Sequence, residues 1–341
     1  MQMLNFMAPI DGDPPLPENE NANEEPEEED IDDSHYESSG YEVSTETVTS
    51  AVYDFIYENG RKYHVYFGKD KYLLPMDEIE KDRLDLSHEI FFRLLDEKLH
   101  LAPIGDEPHR ILDVGTGTGI WAIDMADEYP SAEIVGNDLS PVQPKWMPPN
   151  CRFEIVDAEA EWTYRPDHFD YVHMRNLSQA VTDWPFLIAE AYRCIQPGGF
   201  IECCELENVP RSDDGTLKED DGVKTAMSLL GDALKLLGRP PFMSAAMLKK
   251  ELEDAGFLDV VVTAVKYPFA PWPQDPKLKM VGAMVLMTEE TAALTRILGM
   301  SQEDADRICT NAVNAVKDRN VHTYMFFNVV YGRKPESPVD P

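Results

Sequence analysis

The sequence predicts an α/β fold: a doubly wound, mostly parallel sheet of seven strands, with an N-terminal extension and a helical insertion before the last strand. Three observations carry this expectation. The stretch Arg110-Ile-Leu-Asp-Val-Gly-Thr-Gly-Thr-Gly-Ile-Trp121 reads as a buried strand that runs into a glycine turn and then a helix. Further strand-like runs are expected at Ala132–Asp138, Cys151–Ala158, Phe169–Arg175 and Gly199–Leu206, separated by segments long enough for helices or crossovers, as in a parallel sheet. The hydrophobic fraction, 43% of 341 residues, is enough for a substantial core.

Residues 1–40 combine Pro14, Pro15 and Pro17 with the acidic run Glu24–Asp33, so a disordered acidic tail is expected, serving either solubility or a partner. Residues 41–105 read as an N-terminal cap and helical extension. Within it, Val43, Val48, Val52, Phe55 and Ile56 recur at mixed helical spacing, and Glu58-Asn-Gly-Arg-Lys-Tyr-His64 opens a hairpin-like stretch through Tyr66, Phe67, Tyr72 and Leu73. Asp77–Leu99 carries an apolar helical stripe that leads to the glycine strand. The main domain spans 106–334. A helix over Asp183–Ile195 is stopped by Pro197-Gly198-Gly199, read as a turn before the fifth strand. Helices at Asp220–Leu237 and Ser244–Ala255 precede a strand over Asp259–Phe269. The insertion, 270–320, holds helical patterns at Lys277–Gly299 and Gln302–Val316. Its Met280, Met284, Leu286 and Met287 read as an adaptable pocket wall or as plain core. A last strand, His322–Val330, is rich in aromatic and β-branched residues, and 335–341 form a flexible C-terminus.

The glycine turn is where chemistry is expected. Gly115, Gly117 and Gly119 admit positive φ and close backbone approach, so a ligand can lie against bare main chain there. The spacing is G-x-G-x-G preceded by Asp113, which departs from the G-x-G-x-x-G of a dinucleotide site. An acid at the turn repels a pyrophosphate and attracts an ammonium group, which points to an amino-acid-bearing nucleotide such as S-adenosyl-L-methionine. Asp138 closes the second strand nineteen residues after Gly119, where a carboxylate can accept both ribose hydroxyls. The plainer alternative is a glycine-rich turn of some other α/β protein.

Charge narrows the function classes. The net charge is −34, and fifteen of the 64 acidic residues but none of the 30 basic ones lie in residues 1–50. Phosphate contacts need basic surface, so nucleic acid is not expected as a substrate. Five cysteines without a C-x-x-C pair fit a reducing intracellular compartment, cytoplasm or nucleus, and Cys203 and Cys204 read as small core residues. Met1–Ile10 lacks a basic region and no run approaches the ~18 apolar residues of a membrane span, so no membrane association is expected. No metal constellation is visible: Asp167, His168 and Asp170 read as a solvated turn before the fourth strand.

Asp113-Val-Gly-Thr-Gly-Thr-Gly119, Asp138, Asp157-Ala158 and Pro197-Gly198-Gly199 resemble the successive motifs of class I S-adenosylmethionine-dependent methyltransferases over residues 110–206. More narrowly, Glu58-Asn-Gly-Arg-Lys-Tyr-His64, Arg83-Leu-Asp-Leu-Ser-His88, Asp138-Leu-Ser-Pro-Val-Gln-Pro-Lys-Trp146 and Phe169-Asp-Tyr-Val-His-Met-Arg175 resemble the fungal LaeA-like methyltransferases over about residues 53–334. The resemblance implies a Rossmann-like sheet of order 3-2-1-4-5-7-6 with the seventh strand antiparallel. It also implies S-adenosyl-L-methionine across the carboxyl ends of the first two strands. By position, Asp113, Gly115, Thr116, Gly117 and Gly119 belong to the methionine end, Asp138 to the ribose, and Asp157 with Ala158 to the adenine. Leu139 packs on the adenine or is a core leucine. Arg61 and Tyr63 close over the cofactor or form a structural hairpin, and Arg175 ends the fourth strand among the cofactor residues.

Methyl transfer is an in-line displacement, so the protein chiefly holds the reactants together and excludes water; a base is optional. His173 is the first catalytic candidate and His88 the second, each with a structural alternative. Glu202 and Glu205 meet either substrate or solvent. The Asn/Asp-Pro-Pro-Tyr/Phe run shared by methyltransferases acting on adenine or glutamine amino groups is replaced here by His173-Met-Arg-Asn-Leu177. The implied function is methyl transfer to a small-molecule acceptor, a fungal secondary metabolite. The alternative is a regulator of secondary metabolism that acts through protein partners in the nucleus.

Overall fold

A computed structural model describes residues 55–336, apart from 66, 69, 70, 72, 73 and 286–291. The acidic tail, most of the 41–57 segment, Tyr66, Tyr72, Leu73, Leu286, Met287 and residues 337–341 lie outside the described residues.

The described chain opens with an antiparallel hairpin, β1 (Phe55–Glu58) and β2 (Arg61–His64). Its turn, Asn59-Gly60, has φ of 50° and 76°, the positive pair that a two-residue hairpin turn requires. Helix α1 (Glu78–Leu94) follows, capped by Asp77, which accepts from the Glu80 N–H at 3.1 Å. Arg61 grips the same carboxylate through Nε at 2.6 Å and Nη2 at 2.9 Å, so the hairpin is pinned to the helix cap. The helix stops short of the expected Leu99 because Asp96 and Glu97 turn to positive φ.

The elements that follow give the expected strands. They are β3 (Arg110–Val114), α2 (Ile120–Glu128), β4 (Glu133–Asp138), β5 (Cys151–Ile155), β6 (Phe169–Arg175), α3 (Trp184–Cys194), β7 (Ile195–Leu206), α4 (Gly222–Leu236), α5 (Ala245–Asp254) and β8 (Leu258–Pro268). Among the described residues no helix separates β4 from β5 or β5 from β6, so strict alternation is not kept there. Three helices, α6 (Pro276–Val285), α7 (Ala292–Arg296) and α8 (Gln302–Lys317), then precede β9 (Tyr324–Arg333). The sheet order is β5-β4-β3-β6-β7-β9-β8, and β9 runs antiparallel to both β7 and β8. This is the implied seven-stranded order.

Two local expectations need correction. Strand β5 ends at Ile155, not at Ala158, because Val156 donates to the Asp138 carbonyl and Asp157 accepts from the Glu159 N–H, turning the chain across the strand ends. Pro197-Gly198-Gly199 is no turn ahead of a strand but a bulge inside β7: Phe169 pairs with Ile195 and Tyr171 already with Phe200. Gly198, at φ 81°, absorbs the extra residues.

Strand alternation sends β3 side chains to two cores. Leu112 and Val114 pack with Val172, Met174, Ile201 and Cys203 beneath α3 and α5, while Ile111 packs with Ile134, Tyr171 and Trp121 of α2. A third cluster joins α1 and α6 to the far strands, with Phe91 stacked on Phe327 at 4.3 Å between centroids. Among the described residues no helix is long and apolar enough to cross a membrane.

Candidate active site

A cavity of about 400 Å³ lies over the carboxyl ends of the parallel strands. Its wall changes character along the sheet. On the side of β3, β4 and β5 it is formed by Gly115, Thr116, Gly117, Asp138, Leu139, Asp157 and Ala158. On the side of β7 to β9 it is apolar, with Leu206, Met227, Leu230, Tyr267, Val285 and Val313 among its members. Helices α4 and α8, which pack on one another, supply much of that second half.

The glycine turn lines the cavity from Gly115 to Thr118, and its middle glycine presents the most open backbone. Gly115, Gly117 and Gly119 have φ of 68°, 58° and 82°. A Cβ at Gly115 would stand 2.4 Å from Leu177 Cδ2 and one at Gly119 2.3 Å from Phe153 Cζ, so both positions are glycine for internal packing as well as for φ. At Gly117 a Cβ would meet only Leu84, at 3.7 Å, which leaves this backbone open to a ligand. Gly119 caps α2 and does not line the cavity.

Asp138 is buried at the cavity wall. It accepts from the Gly117 and Ser140 N–H groups, each at 2.9 Å, and among the described residues no cation is at ion-pair distance from it. Burial pushes its pKa up to about 6. A buried carboxylate with acceptor capacity facing a cavity suits a pair of hydroxyl donors, so the residues present fit a ribose. Asp157, beside it, is paired with Lys71 at 3.0 Å, and Lys71 also reaches Glu159 at 2.9 Å.

Asp113 and His173 are placed elsewhere. They are register partners on β3 and β6 and point under the turn toward α2, off the cavity wall. The two Asp113 oxygens accept from Thr116 Oγ1 at 2.6 Å and from His173 Nδ1 at 2.7 Å. His173 is 1% exposed and stacked on Trp121 at 3.8 Å, and burial lowers its pKa, so the ring is neutral. Asp113 is thus engaged with Thr116 and His173, and neither Asp113 nor His173 lines the cavity. The pair braces the glycine turn from below.

His88 does line the cavity. Its Nε2–H donates to Asp124 at 2.8 Å and its Nδ1 accepts from Arg175 Nη2 at 3.1 Å, with burial lowering its pKa. The structure thus brings together His88 and Arg175, which sequence order separates widely. Arg61 and Tyr63 stay in the hairpin: Tyr63 is buried beneath the Arg296 guanidinium, 4.0 Å from its ring centroid, and neither residue lines the cavity.

Glu202 and Glu205 meet neither substrate nor solvent. Glu202 accepts from the Leu101 and Ala102 N–H groups at 2.9 and 2.6 Å, and Glu205 from those of Leu177 and Ser178 at 2.7 and 3.2 Å. Burial raises both to about 7. Met284 packs in the third core cluster and Met280 faces outward at 43% exposure, so Val285 is the α6 residue on the cavity wall.

Sequence reasoning missed Lys71 and the α1 residues Arg83, Leu84, Ser87 and Phe91, all on the wall. The signal was present. Arg83, Ser87 and Phe91 recur every four residues with His88 alongside, a single helical face that mixes polar with apolar residues where a packing stripe would be apolar throughout.

Residues 86–261 match a family described as a methyltransferase domain. The chain is 37% identical over 300 residues to methyltransferase pytC of Aspergillus terreus, covering 86% of this chain and 92% of that protein. It is 38% identical over 292 residues to the secondary metabolism regulator LAE1 of Cochliobolus heterostrophus, covering 82% and 94%. Among solved structures it is similar to phosphoethanolamine N-methyltransferase 2 of Haemonchus contortus in complex with phosphomonomethylethanolamine and S-adenosylhomocysteine. That match has a TM-score of 0.46 at 20% identity and covers 79% of this chain and about half, 55%, of the other.

Proposed function

Since the chain belongs to the LaeA-like branch of the methyltransferase-domain family and uses S-adenosylmethionine, we propose that it methylates a small apolar acceptor held beside that cofactor in the cavity. The observation that carries this is the two-part wall: a polar half around Asp138 and the open Gly117 backbone, continuous with an apolar half between the sheet and helices α4 and α8. Asp138 holds the ribose, Asp157, Ala158 and Leu139 surround the adenine, and Gly115, Thr116 and Gly117 lie along the methionine portion. S-adenosylmethionine supplies the methyl group as an electrophile on a sulfonium sulfur. What the chain contributes is position and dryness: the apolar walls exclude water, and the turn braced by Asp113 and His173 keeps the ligand-bearing backbone rigid.

Incubating the protein with methyl-labelled S-adenosylmethionine and small-molecule extracts tests the reading. Label moving into an organic-soluble product is the expected result. A second reading, regulation of secondary metabolism through a protein partner in the nucleus, is favoured by the similarity to LAE1. Tight cofactor binding with no labelled small molecule, together with a stable protein partner, would decide for it. Both readings set the chain inside the cell.

A further inference from the structure

We propose that Arg175 binds the carboxylate of the acceptor, so that the substrate class is an apolar carboxylic acid that enters the cavity ionised. This rests on the methyltransferase reading of the cavity. Three cations line the wall, and two are already committed: Lys71 to Asp157 and Glu159, and Arg83 to Glu80 at 2.6 Å. Arg175 has no carboxylate at ion-pair distance among the described residues. Its guanidinium donates to His88 Nδ1 at 3.1 Å and lies 5.4 Å from the Phe91 ring centroid, which leaves most of its five N–H donors unused. The carboxylates whose charge it feels, Asp113 and Asp124, are taken by Thr116 with His173 and by His88. A guanidinium shielded from bulk water without a counter-charge is costly, and a ligand carboxylate supplies what is missing in a two-pronged geometry.

Position sets that carboxylate apart from the ribose and adenine ends of the cofactor, and the apolar surroundings favour the acceptor over the cofactor's own methionine carboxylate, the competing partner that the Arg175→Met titration separates. Arg175 ends β6, which lies on the opposite side of β3 from β4 and β5, the strands that bear Asp138 and lead to Asp157. Its aromatic neighbour Phe91 stacks on Phe327 and lies 6.1 Å from Tyr267, the start of the apolar half. The surrounding chemistry agrees. His88 is held at both ring nitrogens and His173 is sealed under the turn, so neither stands ready to take a proton. An acceptor that arrives ionised has none to give up.

The test uses 2-naphthoate and its uncharged counterpart 2-naphthamide as probes, titrated calorimetrically near neutral pH into the full chain with and without S-adenosylhomocysteine. The wild-type protein is expected to prefer naphthoate by about tenfold or more. Arg175→Met should abolish the preference while changing S-adenosylhomocysteine affinity by no more than about twofold, and Arg175→Lys should keep part of the preference. The proposal is overturned if the wild-type protein shows no preference, binding of neither probe included. It is equally overturned if Arg175→Met weakens S-adenosylhomocysteine by about tenfold, since the guanidinium would then serve the cofactor. Should Arg175→Met not fold, the wild-type preference and the Arg175→Lys protein still decide. Failure of the wild-type protein to bind S-adenosylhomocysteine would instead sink the methyltransferase reading, and the titrations without it report on Arg175 independently.

Discussion

Asp138 must ionise to accept two hydroxyls, and burial has moved that ionisation up to about pH 6. Ribose donors stabilise the charged form, so affinity for S-adenosylhomocysteine should rise as pH climbs through about 6 and then level off. Removing the carboxylate with Asp138→Ala should weaken binding by about tenfold or more at neutral pH and flatten that pH profile; calorimetry showing unchanged affinity would refute the assignment. His173 gives the contrasting case. Truncating a ring stacked on Trp121 leaves Asp113 buried without its donor, so His173→Ala should cost about 3 kcal/mol of stability. Activity per folded molecule should survive. A folded His173→Ala protein with normal stability and no turnover would restore the ring to catalysis. The place of Asp138 on the cavity wall was legible in the sequence because it depends on lying at a strand's end, whereas the fate of Asp113 and His173 depends on which sheet face they take. Periodicity shows that alternate residues differ, yet it does not say which set meets a ligand.

The glycine turn separates two demands that the motif superimposes. Gly119→Ala forces a Cβ into the Phe153 ring at φ 82°, so it should destabilise the fold by a few kcal/mol and lower the melting temperature markedly. Gly117→Ala makes only an ordinary contact with Leu84 and should cost about 1 kcal/mol of backbone strain, but its methyl group enters the cavity, so cofactor affinity should drop by about tenfold or more. Equal loss of stability in both variants would show that Gly117 too is a packing glycine. Elements with a strong local signal were legible: β3, β4 and β6 lie where their β-favouring runs predicted. Those settled by long-range contacts were not. The β7 bulge is held by Lys334, which follows the neighbouring strand β9 far along the sequence: its carbonyl accepts from the Gly198 N–H and its N–H donates to the Gly199 carbonyl. Helix α1 was read for its apolar stripe, its family motif and His88, so Arg83 and Ser87, which line the cavity beside His88, had no site role assigned.

Across the whole molecule, Glu202 and Glu205 tie two loops to the middle of the sheet at the cost of holding carboxyl groups out of water. With pKa values near 7 against an ordinary 4.5, the folded state keeps protons that the unfolded state has lost between those limits. Stability should therefore fall as pH rises through that window, by up to about 3 kcal/mol for each group. His88 and His173, with lowered values, act in the opposite direction below about 6.5. The carboxylate share can be isolated by urea unfolding of Glu205→Gln, whose decline from about pH 5 to about pH 7.5 should be shallower than that of the wild-type protein. An identical slope would show that Glu205 titrates normally. The order of the strands has a further bearing on how the protein comes into being. Strand β9, the last of the described strands, is hydrogen-bonded on both edges, to β7 and to β8, and its Met325 lines the cavity. A ribosome therefore delivers the strand that joins β8 to the rest of the sheet after both of its partners, and until Tyr324–Arg333 emerges β8 has no neighbour among the described strands of the sheet. The nascent chain waits with an open apolar seam. Any message that stops before that segment makes a molecule suited to chaperone capture and proteolysis, however complete its cofactor motifs.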